Sequence, residues 1–555
     1  MSNKEIASQF SLLSQLMDIH GENSFKSKTY SIVAYKISQL TVDLYTFSEK
    51  EIAQINGIGE AISKKIIEII STGTMEILKN LILKTPPGIF EMLKIKGIGP
   101  KKIAVIWREM GIENIGELLY ACSENRLLLY PGFGKKTQAN VKEAIEFYLS
   151  QQGNYLYAQV EMLANELVIF FQKLFKGERV VLTGEFSRQA ETVDSLDFVI
   201  TASAEEIIET INDLTEFKLL QNNSKFISYQ YNEGIVLNIY PAQGITLIKK
   251  VFETTGTAEF NSFFINSFPS INFEDVENEK ELFNRAGIQY IPPFLRESES
   301  IINLSKAFKI PAVIQPGDIK GIIHCHSNWS DGIQSIEQLA VAAIKSKKEY
   351  LVISDHSKTA TYAKGLTEEK VREQHTYIDS LNEKLAPFKI FKSIESDILN
   401  DGSLDYSDSI LSTFDLVIAS VHSNLTMNQE KAMARLLKAI ENPYTTILGH
   451  MTGRLLLSRN GFSVDYKRII DACAANRVVI EINAHPRRLD MRWQWIEYAL
   501  SKNVLLSIDP DAHSIPEFDN TRYGVLVAQK GMLTAENNLS SFGREKFENY
   551  LGRRK

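Results

Sequence analysis

Six of the nine histidines stand at the ends of short apolar runs in the C-terminal part of the chain. These runs are rich in Val, Ile and Leu and alternate with amphipathic helical stretches, a pattern typical of buried parallel strands separated by helices. In a barrel of such units, side chains at the carboxyl ends of the strands converge on one face. The six are His324, His326, His356, His422, His450 and His513.

Three carboxylates accompany these histidines in the same kind of position: Asp331, Glu395 and Asp511. Imidazoles mixed with carboxylates suit Zn²⁺, Mn²⁺ or Fe, whereas carboxylates alone would suit Mg²⁺ or Ca²⁺. His324 and His326 are two residues apart, so their side chains share one side of a strand end and can chelate one ion. The sequence therefore predicts a hydrolytic site that holds several metal ions.

The overall composition of the chain excludes some classes of protein. A length of 555 residues is too great for one hydrophobic core, and three well-separated cysteines favour a reducing compartment over a disulfide framework. The sequence has no apolar segment typical of a membrane span or signal peptide. We therefore expect a cytoplasmic monomer without membrane contact. The net charge of −7 leaves nucleic-acid binding open, since phosphate contacts need only local basicity.

Three glycine pairs, each between amphipathic helical stretches, recur in the first 150 residues. Such glycines let a phosphate approach closely, and the N–H groups at the following helix start bind the anion. One copy alone would favour an ordinary tight turn, but three copies with trailing lysines favour helix-hairpin-helix units that bind DNA independently of its sequence. The predicted contacts are Gly57, Gly59, Lys65, Gly97, Gly99, Lys101, Lys102, Gly132, Gly134, Lys135 and Lys136.

The middle of the chain contains the segments VVLTG, ETVDSLDFVI, NEGIVLNIY and YIPPFLRE. With the hairpins before them and the histidine-rich part after them, they resemble the bacterial family X DNA polymerases of the PolX type, which carry a C-terminal PHP domain. The resemblance covers nearly the whole chain and implies a multidomain α+β and α/β fold. The implied parts are a helical lyase-like domain with a hairpin (1–85), a fingers-like hairpin domain (86–150), a polymerase X palm (151–240), a thumb (241–310) and a distorted (β/α)7 PHP barrel (318–555).

The palm segment departs from the family pattern where polymerases bind metal. The family has an Asp-x-Asp pair and a third Asp on a later strand, and here Ser195, Asp197 and Asn238 occupy those positions. Because a neutral amide supplies no charge to a hard cation, we expect weak Mg²⁺ binding and a palm that folds without polymerising. The alternative is a bulge that turns Asp194 onto the metal face. The phosphate-holding segment Gly184–Arg188 departs as well, with Glu185 among its residues.

The C-terminal part, in contrast, fills all nine metal-ligand positions of the PHP family. The resemblance implies up to three divalent ions, with Mn²⁺ favoured and Zn²⁺ or Fe as alternatives. It also assigns catalysis to Glu395, Asp511 and His422, and Arg454 is predicted to hold a phosphate oxygen. The implied groups are His324, His326, Glu395 and Asp511; Glu395, His422 and His450; and Asp331, His356 and His513.

The favoured hypothesis is a DNA-repair nuclease with metal-dependent 3′→5′ exonuclease or phosphodiesterase activity, extending to cleavage at abasic sites. Its substrate would be gapped, nicked or 3′-ended DNA in base-excision repair. The alternatives are an active DNA polymerase with an associated exonuclease, a small-molecule PHP phosphatase of the histidinol-phosphatase type, and a non-catalytic DNA-end scaffold. Lys65 also matches the Schiff-base lysine of eukaryotic relatives, and lyase activity stays open on that basis.

Overall fold

The computed structural model of this protein divides into two compact units. Residues 1–123 with 127–146 form the first, and residues 124–126 with 147–555 form the second. The ranges that the structure describes are 1–150, 153–232, 234–273 and 276–552.

The first unit is helical, and its helix boundaries follow from capping chemistry. Helix α1 begins after Ser2, whose side chain and that of Glu5 cap each other's backbone N–H groups. Helix α4 ends at Gly73, which takes the left-handed conformation that glycine adopts without strain. The helices are α1 (Asn3–Ile19), α2 (Ser24–Ser38), α3 (Glu49–Ala53), α4 (Glu60–Thr72), α5 (Glu76–Lys84), α6 (Pro87–Met92), α7 (Pro100–Arg108), α8 (Ile115–Ser123) and α9 (Lys135–Ser150).

The segment predicted as the palm, for which we keep that name, is a five-stranded sheet covered by helices in the second unit. The strand order is β2-β4-β7-β6-β5, and the central pair β4 and β7 is parallel. Alternate residues of β4, such as Leu196 and Phe198, are fully buried in an apolar core. The elements are β1 (Tyr155–Leu156), α10 (Tyr157–Leu174), β2 (Val180–Thr183), α11 (Gly184–Ser187), β3 (Thr192–Val193), β4 (Ser195–Ile200), α12 (Ala204–Asn212), β5 (Phe217–Asn222), β6 (Ile227–Tyr231) and β7 (Val236–Pro241).

A small helical subdomain with an aromatic core follows the palm. Phe252, Phe264 and Phe283 pack against one another in its centre. The guanidinium of Arg296 lies over Phe252 and Phe283 and pairs with Glu279, which compensates the burial of its charge. The helices are α13 (Leu247–Thr255), α14 (Ala258–Ser267), α15 (Glu279–Arg285) and α16 (Ser300–Lys306).

The last part is a parallel seven-stranded barrel with helices between its strands. The strand order is β14-β13-β12-β11-β10-β9-β8, and a parallel bridge between Cys325 and Ala512 joins the two ends of the sheet. The elements are β8 (Gly321–Ile322), α17 (Ile336–Lys345), β9 (Tyr350–Ile353), α18 (Glu368–Leu385), β10 (Lys389–Asp397), α19 (Asp408–Leu411), β11 (Leu416–Ser420), α20 (Gln429–Ile440), β12 (Thr445–Leu448), α21 (Tyr466–Asn476), β13 (Val479–Asn483), α22 (Ile496–Ser501), β14 (Leu506–Asp509), α23 (Thr521–Lys530) and α24 (Arg544–Gly552).

The predicted fold class is thereby confirmed: a helical N-terminal region with hairpins, a mixed sheet with helices, and a C-terminal parallel barrel of the PHP kind. The strands of the barrel are buried along their length, which explains their continuous apolar runs. Within the described residues, no helix combines the length and the apolar character needed to cross a bilayer.

Candidate functional site

The carboxyl-end mouth of the barrel brings together the nine side chains predicted as metal ligands. Eight of them come from the loops after β8, β9, β11, β12 and β14, and Glu395 lies within β10. Eight are buried, and the side chain of His422 is only 10% exposed. The nine are His324, His326, Asp331, His356, Glu395, His422, His450, Asp511 and His513.

Glu395 is the group that the others share. Its Oε1 lies 3.1 Å from Nε2 of His422 and 3.0 Å from Nε2 of His450. The same oxygen is 3.3 Å from Nε2 of His324. Its second oxygen, Oε2, lies 2.9 Å from Nδ1 of His356. One carboxylate thus lies beside imidazoles from four other loops, so it would be a ligand for any cations held there.

Two further carboxylates each sit between histidines. Asp511 Oδ1 lies 3.2 Å from Nε2 of His326 and 3.4 Å from Nε2 of His324. Asp331 Oδ1 lies 3.5 Å from Nε2 of His513. Three groups of donors have all their ligand atoms within 4.8 Å of one another: His326, Asp331, His356 and His513; His324, His326 and Asp511; and His356, Glu395 and His422.

Many of these donor atoms are buried without a hydrogen-bond partner. Unpaired buried polar atoms are costly, and a concentration of them in one place needs an explanation. Cations would satisfy them together, so the donor set fits a cluster of metal ions better than a purely structural polar core. The unpartnered atoms include Nε2 of His324, Nδ1 of His326, Oδ2 of Asp331, Nε2 of His356, Oε2 of Glu395 and Nε2 of His513.

The pKa shifts within the cluster also indicate a site for cations. Burial would raise the pKa of Glu395, but the neighbouring imidazoles of His422 and His324 hold it well below its usual range. Burial would lower the pKa of His422, but Glu395 and Asp397 raise it to about 9. The buried carboxylates therefore require positive charge beside them, which protons or bound cations can supply.

Two of the donors have an unusual backbone conformation. His324 and Asp511 have positive φ angles of 60° and 51°, a region that such residues rarely occupy. They flank the bridge that closes the barrel, where His326 N–H donates to the Ala512 carbonyl and Ala512 N–H donates to the His324 carbonyl. Strain of this kind concentrates at functional sites, where the surrounding structure compensates it.

The corresponding face of the palm holds one carboxylate where the family pattern has three. In the register of the parallel pair β4 and β7, Asp197 lies opposite Asn238. The Asn238 side chain donates to Asp197 Oδ1 at 2.8 Å, and the Ser195 hydroxyl donates to the same oxygen at 3.2 Å. Burial raises the pKa of Asp197, although these two hydrogen bonds lower it. Asp194 is exposed, and β4 has no bulge against its neighbours.

The three glycine pairs of the first unit form the same local structure. Gly57, Gly97 and Gly132 have φ angles of 85°, 92° and 88°. The residue after each of these glycines is a buried apolar side chain that anchors the turn. A second, exposed glycine then leads into α4, α7 or α9. The first N–H groups of these helices have no intrahelical acceptor, so each turn presents donors suited to a phosphate.

The predicted lysines lie on or after these turns. Lys101, Lys135 and Lys136 are exposed, whereas Lys65 and Lys102 are partly buried. The ammonium of Lys102 lies 5.8 Å from the ring centroid of Phe133, the apolar anchor of the third turn. The second and third hairpins are therefore close neighbours within the first unit.

Comparisons with known proteins agree with the description of the hairpins and with that of the whole chain. A family model described as a helix-hairpin-helix domain matches residues 1–75, and one described as a SAM-like helix-hairpin-helix tandem matches residues 89–146. The chain is 30% identical over 576 aligned residues, which cover all of both chains, to the DNA polymerase/3′-5′ exonuclease PolX of Bacillus subtilis.

This chain belongs to the PolX family. The resemblance predicted from the sequence is thereby confirmed, and with it DNA binding as the general role of the hairpins. Shorter stretches match proteins named as probable phosphatases. One from Caldanaerobacter subterraneus is 31% identical over 105 residues, covering 18% of this chain and 39% of that protein. One from Syntrophotalea carbinolica is 24% identical over 169 residues, covering 29% and 64%.

The sequence of this PolX-family chain did not single out Glu481, yet its carboxylate organises two of the donors. Glu481 is fully buried in β13, its Oε1 pairs with Nδ1 of His324, and its Oε2 accepts from the His450 N–H at 2.6 Å. Asn483 donates to Glu481 at 3.2 Å and to Asp511 at 3.0 Å. A charged residue inside an apolar strand was the available signal.

Other polar residues near the donors have separate tasks. Asp397 pairs with Nδ1 of His422, as expected of a residue that orients a ligand. Asp355 instead accepts from the N–H and hydroxyl of Ser327 at 2.8 and 2.6 Å, which fixes the loop after β8. In the first unit, no sequence pattern indicated Lys36. Its ammonium donates to the carbonyl of Asn56 at 3.3 Å, beside the first hairpin.

Arg454, predicted to hold a phosphate, is almost fully engaged by protein groups. Its Nε donates to the Arg488 carbonyl at 2.8 Å, and its two terminal nitrogens donate to the carboxylate of Glu191 at 3.1 and 2.7 Å. One of these nitrogens also donates to the Leu489 carbonyl. Four of its five N–H groups thus already donate to protein groups.

Proposed function

We propose that this chain is a metal-dependent 3′→5′ exonuclease that acts on gapped, nicked or recessed DNA ends during repair. The observation that supports it most is the convergence of eight His and Asp side chains around Glu395, with unpaired ligand atoms close to one another. When bound, divalent ions at these donors would supply Lewis acidity that activates water and stabilises charge on the leaving oxygen. We favour Mn²⁺, with Zn²⁺ or Fe as alternatives, and up to three ions.

The residues of this chain would contribute as follows. Glu395 lies among four imidazoles that lower its pKa, and this carboxylate would be available to bound cations. Asp511 and Asp331 would supply further ligands, and Glu481 and Asp397 fix the imidazole rings of His324 and His422. The hairpins would hold the phosphate backbone without reading bases, so the enzyme would accept any sequence.

We further propose that the palm does not polymerise. Two of the three positions that would carry charge toward Mg²⁺ are Ser195 and Asn238, and both hydrogen-bond the remaining Asp197. Beside them, the Arg188 guanidinium donates to the Thr255 carbonyl at 2.8 Å and lies 3.7 Å from Glu297. Arg188, the side chain that would hold a triphosphate, thus already contacts other protein groups.

One assay tests both proposals. Gapped DNA labelled at the 5′ end of the primer strand is incubated with Mg²⁺, Mn²⁺ or Zn²⁺, with and without deoxynucleoside triphosphates. We expect stepwise shortening of the primer with Mn²⁺ and no extension under any condition. Absence of shortening in protein reconstituted with metal would contradict the exonuclease, and robust extension would contradict the inactive palm.

An active polymerase with an associated exonuclease is the second candidate. The observation in its favour is the full-length similarity to a relative whose name includes DNA polymerase activity. A small-molecule phosphatase is the third, supported by similarity to probable phosphatases over part of the chain. Hydrolysis of histidinol phosphate at a rate above that of DNA would favour the phosphatase.

A further inference from the structure

We propose that the palm has a second role in this chain: it positions the metal centre of the barrel through an ion pair between Glu191 and Arg454. The proposal rests on the proposed metal-dependent function. Glu191 immediately precedes β3 of the palm, and Arg454 lies four residues after His450, one of the nine donors. Both residues belong to the second compact unit.

The ion pair has the geometry of a strong contact. Arg454 Nη1 donates to Glu191 Oε2 at 3.1 Å, and Nη2 donates to Oε1 at 2.7 Å, so the guanidinium and the carboxylate meet through two parallel hydrogen bonds. The Arg454 side chain is 3% exposed and that of Glu191 is 18% exposed. Removing the carboxylate would leave a buried positive charge without its partner, which is costly.

The barrel side of this pair is the loop that carries His450. The loop has little regular structure, so the position of His450 depends on its anchors. Thr452 donates through its N–H and its hydroxyl to Asp490 at 2.9 and 2.8 Å. The Gly453 N–H donates to the His450 carbonyl at 2.9 Å. Arg454 supplies the next anchor, and Nε2 of His450 lies 3.0 Å from Glu395.

The palm side of the pair is firmly placed. Strand β3 pairs with β1, where Val193 lies opposite Tyr155 and Thr192 opposite Leu156. The Glu191 carbonyl accepts from the Tyr157 N–H at 3.2 Å. Glu191 therefore presents its carboxylate from a fixed backbone. A palm without polymerase chemistry would still be needed as the support that holds the His450 loop against Glu395.

The test compares Glu191→Gln with a matched variant, Glu161→Gln. Glu161 also joins the palm to the barrel: it lies 2.7 Å from Arg522 and accepts from the Tyr523 hydroxyl at 3.1 Å. Its partners lie in α23, and neither is on the His450 loop. Both substitutions remove one ion pair between palm and barrel, and only the first removes an anchor of the metal loop.

Two measurements do not depend on DNA cleavage. In chelator-treated protein, we expect amide hydrogen exchange across residues 449–456 to be faster in Glu191→Gln than in wild type, and unchanged in Glu161→Gln. In Mn²⁺ titrations followed by electron paramagnetic resonance, we expect Glu191→Gln to weaken at least one class of bound Mn²⁺ about tenfold. Arg454→Lys keeps the charge but loses the paired geometry, and we expect an intermediate loss.

The kinetic signature separates positioning from substrate binding. If cleavage occurs as proposed, kcat should fall in Glu191→Gln while KM for DNA stays unchanged, because Arg454 has almost no free donor for a phosphate. Equal behaviour of the two Gln variants, or wild-type loop exchange and Mn²⁺ affinity in Glu191→Gln, would overturn the proposal. If the wild type did not cleave DNA but exchange and Mn²⁺ binding changed as expected, only the exonuclease proposal would fail.

Discussion

The barrel and the palm both present polar side chains from neighbouring parallel strands, but only the barrel retains a full set of metal donors. In the barrel, ligands from five loops surround Glu395. In the palm, Asp197 lies opposite Asn238 in the strand register and accepts its hydrogen bond. The site-facing residues of a strand can thus change chemistry while the buried residues between them, such as Leu196 and Phe198, keep the fold.

This difference also explains why the palm remains well folded. A lone buried carboxylate would be costly, but Ser195 and Asn238 donate hydrogen bonds to Asp197 that replace the charge of a metal ion. In the barrel, Asn483 donates to Asp511 in a similar way, but many of the other ligand atoms lack a hydrogen-bond partner. The palm carboxylate therefore has neutral hydrogen-bond partners, whereas the clustered carboxylates of the barrel mouth need cations or protons beside them.

Removal of one barrel donor should have the largest effect. We expect Asp511→Ala to lower DNA cleavage by more than about a hundredfold, since loss of residues that merely orient ligands already costs 10–100-fold. DNA affinity, measured by fluorescence anisotropy, should be unchanged because the hairpins are intact. Cleavage is measured with metal-reconstituted protein and end-labelled DNA.

The matched control for this variant is the exposed palm aspartate. Asp194→Ala should leave cleavage unchanged, since Asp194 is exposed, precedes β4 and lies outside the barrel. Comparable losses in the two variants would mean that the palm contributes catalytic carboxylates, and the contrast between the two regions would be wrong.

The next largest effect is expected from Glu481→Gln. This carboxylate pairs with His324 and accepts from the His450 N–H, so its neutralisation should misorient both ligands and weaken metal affinity by about 10–100-fold. Metal content after dialysis, measured by inductively coupled plasma mass spectrometry, checks the prediction.

A neighbouring carboxyl provides the control for Glu481. Burial, together with the charge of Glu481, raises the pKa of Asp509 well above its usual range, and its Oδ1 accepts a hydrogen bond from the Ser507 hydroxyl at 2.6 Å rather than from a predicted metal ligand. Asp509→Asn should therefore retain the metal content of the wild type. Equal metal loss in both variants would show that β13 and β14 tolerate no change, and would remove the specific role of Glu481.

How far the sequence could predict this site depended on whether a residue's partners were near it in sequence. The barrel donors were predictable because each follows or ends an apolar run, and the His324 and His326 spacing fixes a shared side. The role of Glu481 was not predictable. The partners of a residue inside a buried strand depend on the register of the neighbouring strands, and the sequence alone does not give that register. The pairing of Glu191 with Arg454 joins two domains, and no local pattern carries such information.

A substitution in the palm tests whether a second carboxylate there would restore the cation binding that we propose for the barrel. Asn238→Asp replaces the hydrogen bond to Asp197 with repulsion between two carboxylates, which should destabilise the palm by about 2 kcal/mol. Added Mn²⁺ should restore the stability because the paired carboxylates can share a cation. Thermal unfolding with and without Mn²⁺ checks this. The control is Ser228→Ala, which removes a hydrogen bond to Asn238 but adds no charge. A loss that Mn²⁺ does not reverse would contradict the prediction.

The smallest effect is expected from a substitution in the hairpins, which would bind the DNA for the barrel and for the palm alike. Alanine at Gly97, where φ is 92°, meets no atom within 4 Å but strains the turn by about 1–2 kcal/mol. We expect DNA affinity to fall by up to about tenfold and its salt dependence to flatten, because the N–H groups that hold a phosphate would shift. Gly111→Ala is the control, since Gly111 also has positive φ and open space but lies outside the three glycine pairs. Equal losses in both variants would mean that backbone strain, rather than phosphate contact, explains the effect.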